Sequence, residues 1–355
     1  MLIRRYVVWT GAGLLGLVLA ACLYLQLSMR QALDDTAGYS AAAASLSVFA
    51  GADGLARVVI EDREFRVRFA GFEDNPTGPV VLLLHGFPVT SAMWLPLFES
   101  LVDVGLRVVA PDQRGYSPGA RPESVMAYRV EALTGDVIAL ADALAIERFH
   151  LVGHDWGAIV GWQVARTSPE RLLSWSALSI PHPLALADAM ETDSDQRRRS
   201  RYIRLMRLPW LPEALMARDG FAALRAFSDD FPPAVAREYL GMFTEPGAAT
   251  AALNWYRAMP ETLHQWPGTP SIDVPTLFLW GSGDGVVGEA AVAMQRRYLS
   301  GPYREQQVDA GHRLVLAQCS EVLRALLAHI APASEASGYG VSCPNKPFRV
   351  GLHLK

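Results

Sequence analysis

Apolar positions along this chain fall into short unbroken runs separated by stretches of helical spacing. Val80-Val81-Leu82-Leu83-Leu84 stops abruptly at His85-Gly86, as a strand covered on both faces should. The spacing then predicts a helix over Met93 to Val104, a strand over Arg107 to Ala110, a helix over Glu131 to Leu144 and a strand over Phe149 to Val152 that ends at Gly153. A helix over Ala158 to Arg166 and strands over Leu172 to Leu178, Thr276 to Trp280 and about Tyr303 to Val308 complete the pattern. Such alternation implies an α/β fold, a mostly parallel sheet with helices on both faces.

The alternation is interrupted between Pro181 and Ile272 by a stretch rich in Arg, Met, Trp and Pro that has helix-like patches and no strand run. A compact domain rarely holds so long a structureless loop, so the stretch reads as a helical insertion. Lying between two parallel strands, it is expected over their C-terminal ends, where open α/β sheets bind ligands. The core is thus expected in two parts, 55–180 and 272–332, with a lid at 181–271.

Both ends differ from this body. From Tyr6 to Met29 no residue is charged, and Arg4-Arg5 precede the run. About 24 residues at about 1.5 Å each span a hydrocarbon core of about 30 Å. The positive flank points the N-terminus to the cytoplasm and the body outward. Residues 1–30 therefore read first as an uncleaved single-pass anchor. A signal peptide shares the same features, and Leu19-Ala20-Ala21-Cys22 resembles a bacterial lipoprotein processing site, with Cys22 as the lipidated residue. A buried core helix is the third reading. Residues 31–54, with Ala41-Ala42-Ala43-Ala44-Ser45, read as a tether. Residues 333–355 hold the only two lysines, Lys346 and Lys355, and read as a poorly ordered tail.

Composition narrows the chemistry. A hydrophobic fraction of 51% and a net charge of −4 describe a globular protein. Without a basic footprint, nucleic acid is an unsuitable partner. Three cysteines, Cys22, Cys319 and Cys343, supply neither a disulfide framework nor paired metal ligands.

The sharpest local signal is Gly153-His154-Asp155-Trp156-Gly157, set between a strand and a helix. Small residues on both sides permit the tight turn that lifts a nucleophile above the sheet edge, and here the lifted side chain is a carboxylate. Asp155 would also serve as a plain helix N-cap, but a cap has no need of the flanking glycines. The chain order nucleophile, acid, histidine is completed by Asp284 in Gly281-Ser282-Gly283-Asp284 and His312 in Ala310-Gly311-His312, each just past a strand. Glu289 and Asp309 are weaker acid candidates.

With His85-Gly86-Phe87-Pro88, the elbow, Pro181-His182-Pro183, Asn254-Trp255-Tyr256-Arg257 and Gly311-His312 in order, the chain from about Leu55 to Ala331 resembles the α/β-hydrolases of the epoxide hydrolase and haloalkane dehalogenase branch, and within it the epoxide hydrolases. A carboxylate attacking a strained or halide-bearing carbon leaves an alkyl ester that water can release, whereas a serine would leave an inert ether. His312, oriented by Asp284, would activate that water. Backbone N–H groups of Phe87 and Trp156 would hold the oxyanion. No metal or organic cofactor is required. The resemblance further implies lid tyrosines that donate a proton to the opening epoxide. Tyr256 sits in the matching motif. Tyr202 precedes Leu208-Pro209 as the first donor, although a strict count falls on Leu205. His182 is a further candidate.

The expected activity is hydrolysis of an apolar epoxide to a diol, a preference suggested by Phe221, Phe227, Phe231, Met242 and Phe243 in the lid. A haloalkane dehalogenase would use the same triad, but Phe87 stands where that family often has Asn. An ester or lactone hydrolase is disfavoured because Asp155 occupies the place of Ser, and a non-catalytic binder would have no need of the triad. The sequence departs from its relatives at Arg313, where an aromatic is frequent, and in Ser117-Pro118-Gly119.

Overall fold

The computed structural model describes Gly16, Leu19, Ala20, Leu23, Tyr24, residues 39–228, 231–260, 271–330, and Cys343. Eight strands form one sheet: β1 (Gly54–Ile60), β2 (Arg63–Ala70), β3 (Val80–Leu84), β4 (Arg107–Pro111), β5 (Phe149–His154), β6 (Leu172–Leu178), β7 (Thr276–Gly281) and β8 (Tyr303–Val308). Their order is β1-β2-β4-β3-β5-β6-β7-β8. The six strands from β4 to β8 in that order are parallel, and the β1-β2 hairpin joins antiparallel to β4.

The helices in chain order are α1 (Tyr39–Ala44), α2 (Leu95–Asp103), α3 (Val130–Ala143), α4 (Trp156–Thr167), α5 (Pro183–Thr192), α6 (Ser194–Arg199), α7 (Tyr202–Met206), α8 (Leu211–Ser228), α9 (Pro233–Thr244), α10 (Ala248–Ala258), α11 (Glu289–Gln295), α12 (Leu314–Ala317) and α13 (Cys319–Ile330).

All five residues of β3 are buried, because successive side chains point to opposite faces and both faces are covered. Val80, Leu82 and Leu84 join a core with α3 and α4, while Val81 and Leu83 join a second core with α2 and α13. In α13, Val322, Leu323, Leu326, Leu327 and Ile330 form the buried stripe of an amphipathic helix.

The β1-β2 hairpin was not marked by a continuous apolar run, and its alternation explains why. In β2, Phe65, Val67 and Phe69 enter the first core. The intervening Arg66 and Arg68 are also buried, under the lid helix α9. There Arg66 binds Asp112 at 2.6 Å and Glu238 of α9 at 3.0 Å, and Arg68 pairs with the same Glu238, which also accepts from the Thr90 hydroxyl at 2.7 Å. Burial favours the neutral acid, but the two guanidinium groups outweigh it and hold Glu238 down to about 2. Glu238→Ala would leave two cations buried without their shared anion. We expect a loss of about 3 to 5 kcal/mol, read as a lowered denaturation midpoint. An unchanged midpoint would show that this cluster does not hold the lid to the sheet.

Two expectations for the chain ends need correction. The segment read as a tether is partly packed: α1 buries Tyr39, whose phenol donates to Asp112 Oδ2 at 2.7 Å and lies 5.0 Å beneath the Arg66 guanidinium. Ser40 donates from its backbone N–H and its hydroxyl to Glu245, next to the end of α9. Phe49 stacks on Phe69 at 3.8 Å. Short Ala and Ser side chains allow close approach, and a single tyrosine supplies the anchor. At the other end Cys319 and Cys343 form a disulfide, which a count of three cysteines did not reveal. The remainder of 331–355 and most of the apolar run at Tyr6–Met29 lie outside the described residues. Among the described residues no helix is long and apolar enough to cross a membrane.

Candidate active site

The turn from β5 into α4 carries Asp155 at φ 53°, ψ −120°, a conformation disfavoured for side-chain-bearing residues. The neighbours make it feasible. A Cβ at Gly157 would stand 2.1 Å from the Leu84 carbonyl oxygen, and one at Gly86 would stand 2.4 Å from the Asp155 side chain. Asp155 makes no side-chain cap bond to α4, which removes the simple capping role. Instead its Oδ1 accepts the Phe87 backbone N–H at 2.8 Å, and its Oδ2 lies 3.4 Å from His312 Nε2. Trp156 occupies the first position of α4, and Phe87 precedes a cis proline, Pro88.

His312 and Asp284 project from the loops after β8 and β7. His312 Nδ1 is 3.0 Å from Asp284 Oδ2 and 3.2 Å from Oδ1, while Oδ1 also accepts the N–H groups of Val286 at 2.7 Å and Val287 at 3.1 Å. Burial alone would discharge the imidazole. Its bonds to two carboxylates win and push His312 up to about 10. Reciprocally, Asp284 is buried yet held down to about 2 by His312 and Ser179, and the His312 hydrogen bond keeps Asp155 below its usual value. Glu289 and Asp309 are exposed and have no place in this constellation.

Two participants were missed in the sequence. Ser179, at φ 75° just past β6, donates its hydroxyl to Asp284 and lies 2.8 Å from His312 Nδ1. His154 Nε2 bonds the His312 carbonyl oxygen at 2.8 Å, its ring 4.9 Å from that of His312. Burial and the neighbouring imidazolium hold His154 down to about 4, so it stays neutral and braces the loop. Only the elbow spacing hinted at His154; nothing marked Ser179, whose partners are 105 and 133 positions away. We expect Ser179→Ala to slow release of a covalent intermediate about ten-fold or more, since a bond to a charged group is worth about 1.5 to 3 kcal/mol. Substrate KM should change little, and equal rates for both half-reactions in the variant and wild type would remove Ser179 from the relay.

The lid closes over Asp155 with aromatic rings. Tyr256, on α10, packs edge-on to Phe87 at 5.4 Å and to Trp156 at 5.0 Å. Tyr202, on α7, meets the Tyr256 ring edge-on at 6.1 Å. Burial and the Asp155 charge raise both phenols above their usual value, and Tyr202 adds to the rise at Tyr256, so both keep their protons. The structure therefore brings Tyr202, and not Leu205, beside Tyr256. It does not bring His182: that imidazole caps α5 by accepting from the Leu184 N–H at 3.3 Å, stacks on Tyr298 at 4.8 Å, and is held to about 4 by burial and Arg166. The two prolines around it fix this capping geometry.

The departures noted in the sequence have structural partners. Ser117 Oγ accepts the Arg66 backbone N–H at 2.9 Å and bonds the Asp112 carbonyl at 2.5 Å, closing the loop after β4. The same loop anchors the lid, because Arg114 O accepts the Trp255 indole N–H at 2.9 Å. Arg313 lies over Phe227 and Phe231 at 4.9 and 5.5 Å and donates to the Phe227 carbonyl. Those two phenylalanines, expected to line the pocket, thus pack beneath Arg313, with Phe231 against Tyr239. Phe243 is the lid phenylalanine found against Phe87. Among the described residues no cluster suits a metal ion.

Comparisons with known proteins agree with this geometry. The family model for the alpha/beta hydrolase fold matches residues 79–316. The chain is 35% identical to epoxide hydrolase A of Mycobacterium tuberculosis over 293 residues, covering 71% of this chain and 90% of that protein. It is 38% identical over 225 residues to the AB hydrolase superfamily protein YfhM of Bacillus subtilis, covering 61% of this chain and 77% of that one. A solved structure from work on novel epoxide hydrolases in metagenomes from hot environments superimposes with a TM-score of 0.69 at 28% identity, over 79% of this chain and 99% of the other. An elbow carboxylate, a histidine between two carboxylates and a tyrosine-bearing lid thus sit in a chain that belongs to the α/β-hydrolase family, as an epoxide hydrolase-like hydrolase.

Proposed function

We propose that this protein opens an apolar epoxide to a vicinal diol through an ester on Asp155. The observation that carries the reading is the pair of protonated phenols, Tyr202 and Tyr256, placed beside an ionised Asp155. Asp155 Oδ1 is held by the Phe87 N–H, leaving Oδ2 to attack an oxirane carbon. As the ring C–O bond breaks, a phenol supplies the proton the alkoxide needs. Water, deprotonated by His312, then adds to Cγ of Asp155, and the Phe87 N–H stabilises the oxyanion, joined by the Trp156 N–H. Collapse releases the diol and regenerates the carboxylate.

The His312 charge suits both halves. While Asp155 is an anion, it helps hold the imidazole protonated. Esterification removes that anion, so the imidazole pKa falls; the imidazolium proton passes to the phenolate left by ring opening, which restores the phenol and leaves His312 a base when one is needed. A dehalogenase would instead need donors for a departing halide. Here the Trp156 ring packs edge-on against Tyr256 at 5.0 Å, and no Asn follows Gly86.

Matched epoxide and haloalkane panels test the reading. Turnover should be confined to the epoxides, and faster turnover of the haloalkanes would assign the protein to the dehalogenases.

The membrane reading belongs to the same proposal. The apolar run at Tyr6–Met29 favours an anchor, with lipidation at Cys22 as the alternative. The Cys319–Cys343 bridge supports placing the body in an oxidising, non-cytoplasmic compartment.

A further inference from the structure

The turn between α7 and α8 exposes Leu208 at 43% and Trp210 at 73% of their surface, and α8 itself exposes Leu215 at 43%. None of them takes part in the chemistry above. Trp210 adopts φ 50°, a strained value for a bulky residue, and its indole is still the most exposed of the large apolar groups described. Just upstream, Arg197, Arg198, Arg201 and Arg204 are exposed. Between Asp193 and Arg207 the sequence holds six arginines and two acids. The N-terminal run reaches the body at this same helix. Tyr24 donates its hydroxyl to Asp219, at the break in α8 that spans Arg218 to Phe221. Leu19 and Leu23 beside it are 61% and 58% exposed.

We propose that the lid edge formed by Leu208, Trp210 and Leu215 docks on an anionic phospholipid bilayer, with the neighbouring arginines against the headgroups. Indole rings favour the water–lipid boundary, where their apolar body and N–H are both accommodated. Arginines on an interfacial element add attraction to anionic lipid. A second copy of the chain suits the edge poorly, because a twofold contact would bring like arginines together. The inference rests on the membrane reading of the N-terminal run and is independent of the epoxide chemistry.

The full chain, reconstituted in phosphatidylcholine vesicles with roughly 30% phosphatidylglycerol, is compared on ordinary and acyl-brominated lipid. Bromolipid should quench an emission component in wild type that is missing from Trp210→Phe, while a Trp9→Phe variant reports the anchor separately. Arg201→Gln with Arg204→Gln, or omission of phosphatidylglycerol, should weaken the Trp210 component, by about five-fold per arginine in the docking equilibrium. Identical quenching of wild type and Trp210→Phe, with Trp9 still quenched, would overturn the lid docking and leave the anchor standing. No quenching of either tryptophan would overturn both. Epoxide turnover enters none of these readings, and unchanged thermal melts confirm that the variants are folded.

Discussion

Intact His312→Ala protein mixed with an epoxide substrate will gain the mass of one substrate molecule on Asp155 and keep it. The attack needs an ionised carboxylate with Oδ1 held by the Phe87 N–H, and neither requirement involves removing a proton through His312. Release does, because water must be deprotonated as it adds to the ester. Multiple turnover should therefore fall by about 10⁴-fold or more, while one equivalent of adduct accumulates. Loss of the cation beside Asp155 will also slow the first step. In wild type the release rate should rise with pH through an apparent pKa below about 10, the value to which the two carboxylates hold His312 in the free protein. An adduct that is absent from His312→Ala under conditions where wild type turns over, or that forms equally in Asp155→Asn, would refute the two-step scheme.

Tyr256→Phe should leave the lid packed and the nucleophile intact while epoxide opening slows by about 10² to 10³, the usual cost of a transition-state donor of about 2.7 to 4 kcal/mol. Packing is preserved because the ring contacts with Phe87, Trp156 and Tyr202 involve no hydroxyl. Tyr202→Phe alone should have a similar or smaller effect, since the two rings lie side by side and each phenol can partly substitute for the other. The double variant should lose more than either single one, and the losses should not simply add. Stopped-flow rates of ester formation are the appropriate measure. An unchanged rate in the double variant would remove the phenols from the reaction and, with them, the main argument for an epoxide over a haloalkane.

What the sequence disclosed follows from the range of the interactions involved. The central strands were legible because burial on both faces writes a continuous apolar run, and Leu172–Leu178 matches its expected limits; the edge strand Tyr303–Val308 also matches, although its run is polar and buried only at Val308. The triad was legible because an elbow requires glycines at fixed offsets and strand ends mark where catalytic loops begin. β2 was not, since its buried arginines look like a solvated face until Glu238, 172 positions away, is seen to neutralise them. Ser179 was hidden for the same reason. His182 misled because proline-flanked histidines are equally suited to capping a helix and to facing a pocket; only the Leu184 bond and the Tyr298 stack distinguish the two. The first lid tyrosine escaped a strict count because α6 and α7 are short helices joined by a turn, where spacing from a proline does not fix which side chain faces inward.

The α1 segment has a mechanical consequence. Its first residue bonds Asp112 on the sheet side, and its second bonds Glu245 on the lid side. A load drawn along the chain upstream of Tyr39 is therefore shared at once between the sheet and the lid, before any strand is pulled. Cutting the gene at residue 55, the start of the expected core, would sever both points of attachment, whereas a cut at 38 would keep both and lose the Tyr24 contact with Asp219.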